Sequence, residues 1–119
     1  MTEPDYWFKY LNMSTAPALN LDEATELSRF LVALGDPTRQ EILVSLARER
    51  LNVGKLSERF SLSRPAVSHH LKVLSDAGLL KRERQGRERM YRVDAAHCRQ
   101  LAKRLAGFVE GCCSGSACC

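Results

Sequence analysis

Four cysteines lie in two adjacent pairs near the carboxyl end of the 119-residue chain: Cys112, Cys113, Cys118 and Cys119. Thiolates are soft ligands that select soft metal and metalloid ions. Paired thiols can also oxidise reversibly and so report peroxide or sulfur species. A tetrahedral site for Zn(II) or Cd(II) is a further alternative, although two adjacent pairs are an awkward spacing for it. The pattern predicts a thiol site that responds to an ion or to an oxidant.

The geometry of such a site depends on where the preceding helix ends. Adjacent residues on an intact helix point about 100° apart, because there are ~3.6 residues per turn. Cys112 and Cys113 therefore converge on one ion only beyond the helix, and Gly111 is predicted to end it. The Ser-Gly-Ser-Ala segment is flexible enough to bring Cys118 back. Cys98 lies roughly 21 Å from Cys112 along the helix, at ~1.5 Å per residue, so it cannot join this site within its own chain. It is predicted to be a small apolar filler.

A second group of chemically active side chains lies on a predicted helix between Ser63 and Gly78. Ser63 is a favourable N-cap, Pro65 is tolerated in the first turn, and Gly78 favours a helix end. One face of this helix is apolar, and the opposite face carries cations, a hydroxyl and an imidazole. Such a face can enter the major groove of DNA. We expect base contacts from Arg64, Ser68 and His69, and phosphate contacts from Ser61, Ser63 and Lys72.

A shorter helix, predicted over Val53 to Phe60, precedes this one after a tight turn. The pair has the pattern of a helix-turn-helix. Charge is concentrated in the same region, because Ser61 to Arg92 contains eight Lys or Arg against three acids, whereas the whole chain has a net charge of +4. A phosphate backbone attracts such a concentrated positive field.

The segment after Gly78 predicts a β-hairpin with its tip at Gln85-Gly86. Leu80, Tyr91 and Val93 are expected to face the helices, because a two-stranded hairpin alone is marginal in water. Several cations surround the glycine tip, more than solubility requires. We expect backbone contacts to DNA from Arg84, Arg87 and Arg89.

The remaining periodic segments predict further helices at about 21–34, 38–49 and 95–110, with an aromatic-rich helix at 4–13. The buried face of the helix at 21–34 is expected to consist of Leu27, Phe30, Leu31 and Leu34. The predicted fold class is mainly α with a small β-hairpin: a winged helix-turn-helix that dimerises through its N- and C-terminal helices. Residues 1–111 are expected to form the DNA-binding and dimerisation domain, and 112–119 a cysteine-rich ligand-binding tail. His70 lies beside the apolar stripe of its helix and is expected to be packed and hydrogen-bonded.

Composition excludes several other classes of protein. No apolar run is long enough to cross a bilayer, and the N-terminal residues lack the pattern of a signal peptide, so we expect a cytoplasmic protein without a membrane partner. The sequence contains no nucleophile–base–orienter trio, no phosphate-binding glycine loop and no suitable carboxylate pair. We therefore expect neither an enzyme nor a catalytic cofactor.

Three stretches have a more specific signature. They are Leu34 to Leu43 with Gly-Asp-Pro-Thr-Arg, Ser63 to Gly78 with Val-Ser-His-His-Leu-Lys-Val-Leu, and Gly86-Arg87 with Tyr91. Together they resemble the ArsR/SmtB family of bacterial metal-responsive repressors. The resemblance implies a homodimer that binds double-stranded operator DNA without its effector and dissociates when the effector binds.

The cysteine tail is similar to that of arsenic-sensing members of this family, which carry a vicinal cysteine pair and a third cysteine a few residues on. The resemblance implies As(III) or Sb(III) as effector, bound by Cys112, Cys113 and Cys118, with Cys119 as a substitute or fourth thiol. Two other family sites are incomplete here. Residues 51–56 contain no thiol, and Asp94, His97 and Cys98 supply only the first half of a zinc site. His97 is accordingly expected to lie at the surface.

Overall fold

The computed structural model describes residues 21–113, which form five helices and one antiparallel hairpin. The predicted helix at 4–13 lies outside the described residues, as do Cys118 and Cys119. Within the described part of the chain, no helix has the length and apolar composition that crossing a bilayer needs. The elements are α1 (Leu21–Leu34), α2 (Pro37–Arg48), α3 (Val53–Phe60), α4 (Arg64–Asp76), β1 (Leu80–Gln85), β2 (Glu88–Val93) and α5 (Ala95–Cys113).

Local capping fixes where three of the helices begin. Asp36, Asn52 and Ser63 each accept a hydrogen bond from the backbone N–H three residues further on, at 3.0, 2.8 and 3.2 Å. Each bond satisfies one of the N–H groups that a helix start leaves without an intrahelical partner. The starts of α2, α3 and α4 are therefore encoded in their own first turns.

The core lies where α1, α2 and α4 meet the base of the hairpin and the middle of α5. On α1 the predicted buried face was partly wrong, because Leu31 is 45% exposed whereas Ala33 is fully buried. The buried side of α1 is centred on Phe30, and Leu31 lies about 100° around the helix from it. The largest fully buried side chains are Ile42, Leu56, Val67, Leu71, Leu74, Leu79 and Leu101.

The hairpin, which we call the wing, packs on the helices through its base, and the turn at Gly86-Arg87 is exposed. Leu80 pairs with Val93, and both Leu80 and Tyr91 are buried, as predicted. Gly86, at the tip, has a φ of +66°, in the region that glycine adopts without steric cost. The wing is thus buried at its base and exposed at its turn.

The final helix, α5, continues to Cys113, so the prediction that Gly111 ends it was wrong. A glycine inside a helix costs only ~1 kcal/mol relative to alanine and does not forbid helical backbone angles. Leu101, which is fully buried, anchors the helix to the core. Cys112 and Cys113 are therefore residues of the last helical turn.

Candidate nucleic-acid interface and thiol site

The turn between α3 and α4 places both serines that are predicted to contact phosphates at the surface. Ser61 closes α3 in the left-handed conformation, with a φ of 53°. Ser63 follows as the N-cap of α4, and both serines are exposed. Ser57 stabilises the turn by donating its hydroxyl hydrogen bond to the carbonyl of Leu62. The backbone bend that separates the two helices is therefore held by local hydrogen bonds.

The α4 helix separates an apolar face from a polar one, as its sequence predicts. Val67, Leu71 and Leu74 are buried. The residues on the other side are exposed, and among them Lys72 lies 3.2 Å from Asp76 in an i,i+4 ion pair. Such a surface pair is weak, so a phosphate can compete for the ammonium group. The predicted contact residues that this face exposes are Arg64, Ser68, His69 and Lys72.

The hairpin register places two arginines directly opposite each other near the tip. Arg84 is the cross-strand partner of Arg89. Because side chains alternate between the two faces of a strand, both lie on the same face as Arg82. Like charges opposite each other destabilise a hairpin unless an anion lies between them. We call this surface the arginine face; Arg87 lies beside it in the tip.

Arginines of the arginine face have no ion-pair partner within 4.0 Å among residues 21–113, and neither has Arg87. Sequence reasoning missed Arg82 as a member of this face. The period-two spacing of Arg82 and Arg84 was the available signal. Because charged residues dominate β1, its apolar alternation is weak, and the sequence did not show which face Arg82 occupies.

The opposite side of the hairpin has the reverse character, and we call it the ion-paired face. Glu83 lies 2.9 Å from Arg50 and 2.9 Å from Arg92. The hydrogen bond from Arg92, followed by that from Arg50, lowers the pKa of Glu83. Glu83 is thus ion-paired twice on this face of the wing, whereas the arginines of the other face have no such partner among residues 21–113.

His70 is half-buried and hydrogen-bonded, as predicted, but its partner was not predicted. The Arg39 guanidinium lies 3.3 Å from His70 Nδ1. The same side chain donates to the carbonyls of Ala33 and Val32 at 2.9 and 3.1 Å. Arg39 therefore joins the end of α1 to α4, which we call the recognition helix, across 31 residues of sequence that give no local signal of the contact.

The thiols divide into two environments. Cys112 and Cys113 are exposed on the last turn of α5. Cys98 is half-buried against the core, as expected for a filler, and its thiol donates weakly to the Leu79 carbonyl at 3.8 Å. Burial, with Asp94 nearby, raises the pKa of Cys98. Among residues 21–113, no three His, Cys, Asp or Glu side chains form a metal-binding group.

His97, expected at the surface, is partly exposed and also packs against the glycine that follows α4. Its ring is half-buried and lies against Gly78, where an added Cβ would stand 2.5 Å from the ring atoms Cδ2 and Nε2. Gly78 also has a φ of +83°, so glycine is required there both for the turn and for this close contact. The ring therefore packs α5 against the end of the recognition helix.

A helix-turn-helix followed by an arginine-bearing hairpin defines the class of winged-helix DNA-binding regulators. The family described as "Bacterial regulatory protein, arsR family" matches residues 36–82. The chain is 34% identical over 92 residues to a Synechocystis protein named "Transcriptional repressor SmtB homolog", covering 77% of this chain and 70% of that protein. It belongs to the ArsR/SmtB family of transcriptional regulators and is not an enzyme.

Two further similarities agree with this membership. The chain is 41% identical over 69 residues to the arsenical resistance operon repressor of Staphylococcus xylosus, covering 58% of this chain and 66% of that protein. It is also similar to the solved structure of an ArsR-like transcriptional regulator from a Rhodococcus species. That match has a TM-score of 0.67 and 35% identity, and it covers 72% of this chain and 81% of the other.

Proposed function

We propose that this protein is a homodimeric repressor that binds operator DNA and is released when its C-terminal thiols capture trivalent arsenic or antimony. The observation that carries the DNA-binding part is the arginine face beside the recognition helix. Arg84 and Arg89 lie opposite each other without an ion-pair partner among the described residues. Phosphates between them would relieve their mutual repulsion.

The proposed division of contacts follows from position. Arg64, Ser68 and His69 on α4 contact base edges, and the serines at 61 and 63 and Lys72 contact phosphates. The wing contributes Arg84, Arg87 and Arg89 to the phosphate contacts. Base contacts set the sequence preference, whereas phosphate contacts set the affinity and its dependence on salt.

A second subunit is proposed because apolar side chains remain exposed on the two helices at the ends of the described chain. Leu31 on α1 is 45% exposed, and Val109 on α5 is 49% exposed. Apolar residues of this size are favoured in subunit interfaces when they lie in one patch. A two-fold dimer would present two recognition helices to half-sites about one turn of DNA apart.

The proposed effector site combines described and undescribed residues. Cys112 and Cys113 bring two thiols to the end of α5, and Cys118 supplies a third, with Cys119 as a substitute or a fourth. Soft thiolates favour As(III) and Sb(III), and a relative is named an arsenical resistance operon repressor. The proposed location is the cytoplasm, where a reducing environment keeps such thiols available.

Since α5 is helical through Cys113, capture of one ion by both thiols requires the last turn to rearrange. We propose that this rearrangement orders the tail, shifts the dimer interface and changes the spacing of the recognition helices. A tenfold loss of operator affinity needs a coupling of only about 1.4 kcal/mol, within the range of roughly 1–3 that allosteric proteins use.

Fluorescence anisotropy with a labelled duplex, selected from a random-sequence pool, tests this function. Arsenite should release the reduced wild-type protein, and Cys112→Ser and Cys113→Ser should abolish the release while leaving binding intact. Cys98→Ser is the matched control and should respond as the wild type does. A normal response in the Cys112 and Cys113 variants would refute the assigned site.

Two alternatives use the same tail, because a relative is also named an SmtB homolog and paired thiols are oxidisable. Zn(II) or Cd(II) would release the protein through four thiolates, and peroxide would do so through a disulfide. The same assay with each agent separates them. Release by peroxide that dithiothreitol reverses, with no response to arsenite, would favour redox sensing.

A further inference from the structure

Three consecutive residues before α3 each contact the wing. Leu51 exchanges two backbone hydrogen bonds with Tyr91, at 3.1 and 2.9 Å, in an isolated antiparallel bridge. Arg50 lies 2.9 Å from Glu83. Asn52 donates its amide hydrogen to Glu88 at 2.8 Å. The segment 50–52 therefore lies along β2 and contacts the wing through its backbone and two side chains.

Side-chain alternation explains how one short segment makes both kinds of contact. Leu51 is 4% exposed and faces the core, as Tyr91 does. Its two neighbours point to the other side, because successive side chains of an extended segment alternate. That side is the ion-paired face of the hairpin, so these contacts leave the arginine face exposed.

Asn52 has a second role that joins the wing to the helix-turn-helix. Its Oδ1 accepts the backbone N–H of Lys55 at 2.8 Å and so caps α3, while its Nδ2 donates to Glu88. The two partners fix the amide orientation, since a backbone N–H needs the oxygen and a carboxylate needs the nitrogen. One carboxamide thus bonds the start of α3 and the start of β2 at the same time.

The first turn of α3 also lies against the recognition helix. A Cβ added at Gly54 would stand 3.1 Å from the Arg64 guanidinium. Arg64 begins α4 and is one of the proposed base-contacting residues. The turn that Asn52 caps therefore neighbours both parts of the proposed DNA-binding surface.

We propose that Asn52 is a positioning residue that fixes the wing relative to the recognition helix. This proposal rests on the proposed function, in which both elements contact one duplex. A fixed wing presents its arginines to the phosphates without first losing conformational freedom, and preorganisation of this kind raises affinity. Asn52 itself contributes no charge to the DNA.

The test uses a reciprocal exchange of amide and carboxylate. Asn52→Asp keeps the oxygen that caps α3, because aspartate is an equally good N-cap, but it replaces the donor to Glu88 with a second carboxylate. We expect operator affinity to fall about fivefold or more, and trypsin to cleave the wing faster after Arg87. Adding Glu88→Gln restores the bond with its direction reversed, so both measurements should return towards wild type.

The matched control is Asn52→Asp combined with Glu58→Gln. Glu58 is exposed on α3, and this double variant has the same net charge as the rescued one but no restored bond. If Asn52→Asp does not fold, Asn52→Ser replaces it, because serine keeps a capping oxygen and adds no repulsion. Asn52→Ser should shift operator affinity and trypsin cleavage in the same direction but by less. Equal affinity and equal cleavage in the two double variants would overturn the role of Asn52, because charge alone would then explain the effect.

Failure of the proposed function has a different signature. If the wing does not contact DNA, Arg84→Ala/Arg89→Ala leaves operator affinity and its salt dependence unchanged. Cleavage after Arg87 still responds to the Asn52 exchange in that case, because it is measured without DNA. That combination would overturn the wing contacts and, with them, the effect of Asn52 on operator affinity.

Discussion

The guanidinium of Arg39 lies 3.3 Å from His70 Nδ1, so a residue of α2 is bonded to the recognition helix. Because an arginine is always a donor, Nδ1 is the acceptor in this contact. The same guanidinium bonds the carbonyls of Val32 and Ala33 at the end of α1. One side chain of α2 therefore links this helix to α1 and to the recognition helix.

Arg39→Met should lower the free energy of unfolding by about 2 kcal/mol, because each hydrogen bond from a charged group contributes roughly 1.5–3 kcal/mol and these bonds are partly exposed. Urea denaturation followed by circular dichroism measures the change. Arg48→Met, at the exposed end of the same helix, is the control and should change stability by at most about 1 kcal/mol. Equal losses in both variants would contradict the role of Arg39.

Arg84→Ala/Arg89→Ala should weaken DNA binding while leaving the fold as stable as before, or more stable. The two arginines lie opposite each other, and removing like charges relieves repulsion. Two lost phosphate contacts in each subunit of the proposed dimer, four in all, should reduce the slope of log affinity against log salt by about 3.6, at ~0.9 per contact. Anisotropy titrations at several salt concentrations measure the slope. Arg99→Ala, an exposed arginine on α5, should leave it unchanged.

The start and end of the recognition helix were predictable from sequence because short-range chemistry determines them. Ser63 caps its start and Gly78 provides the left-handed turn after its end. The stripe of Val67, Leu71 and Leu74 is likewise a local period, and all three residues are buried. The recognition helix can therefore be predicted from a stretch of about sixteen residues.

Other features depend on contacts that are distant in sequence. The Arg39–His70 contact joins residues 31 positions apart, and the Asn52–Glu88 contact joins residues 36 apart. Leu31 was predicted to be buried because its helical spacing permits it, but the elements packed on α1 cover the face centred on Phe30 instead. No local pattern reveals which of several permitted faces the rest of the chain covers.

Alkylation should distinguish Cys98 from the thiols of the tail. Burial raises the pKa of Cys98, which lowers its thiolate fraction, and also shields its sulfur from the reagent, whereas Cys112 and Cys113 are exposed. Brief treatment with iodoacetamide, followed by trypsin and mass spectrometry, should modify the peptide 105–119 before the peptide 93–99. In urea the two peptides should react at similar rates per cysteine, counting four cysteines in the first peptide and one in the second. Faster reaction of Cys98 in the folded protein would contradict its packing against the core.

Acid should loosen the hairpin through Glu83. Arg92 and then Arg50 lower the pKa of this carboxyl in the folded protein. Its ion pairs therefore stabilise the fold above the usual glutamate pKa, and that contribution is lost as the pH falls through the lowered value. Thermal unfolding of Glu83→Gln should differ from wild type at pH 7 and converge with it towards pH 3. A difference that stays constant across this range would contradict the ion-paired face.

Because α5 extends through Cys113, the dose of arsenite that induces the proposed response is set by how easily a helix end melts. Gly111 lowers that cost by ~1 kcal/mol relative to alanine, which corresponds to about a fivefold gain in apparent ion affinity. The detection limit of the proposed sensor could then be tuned by evolution or by design without altering any of the proposed sulfur ligands.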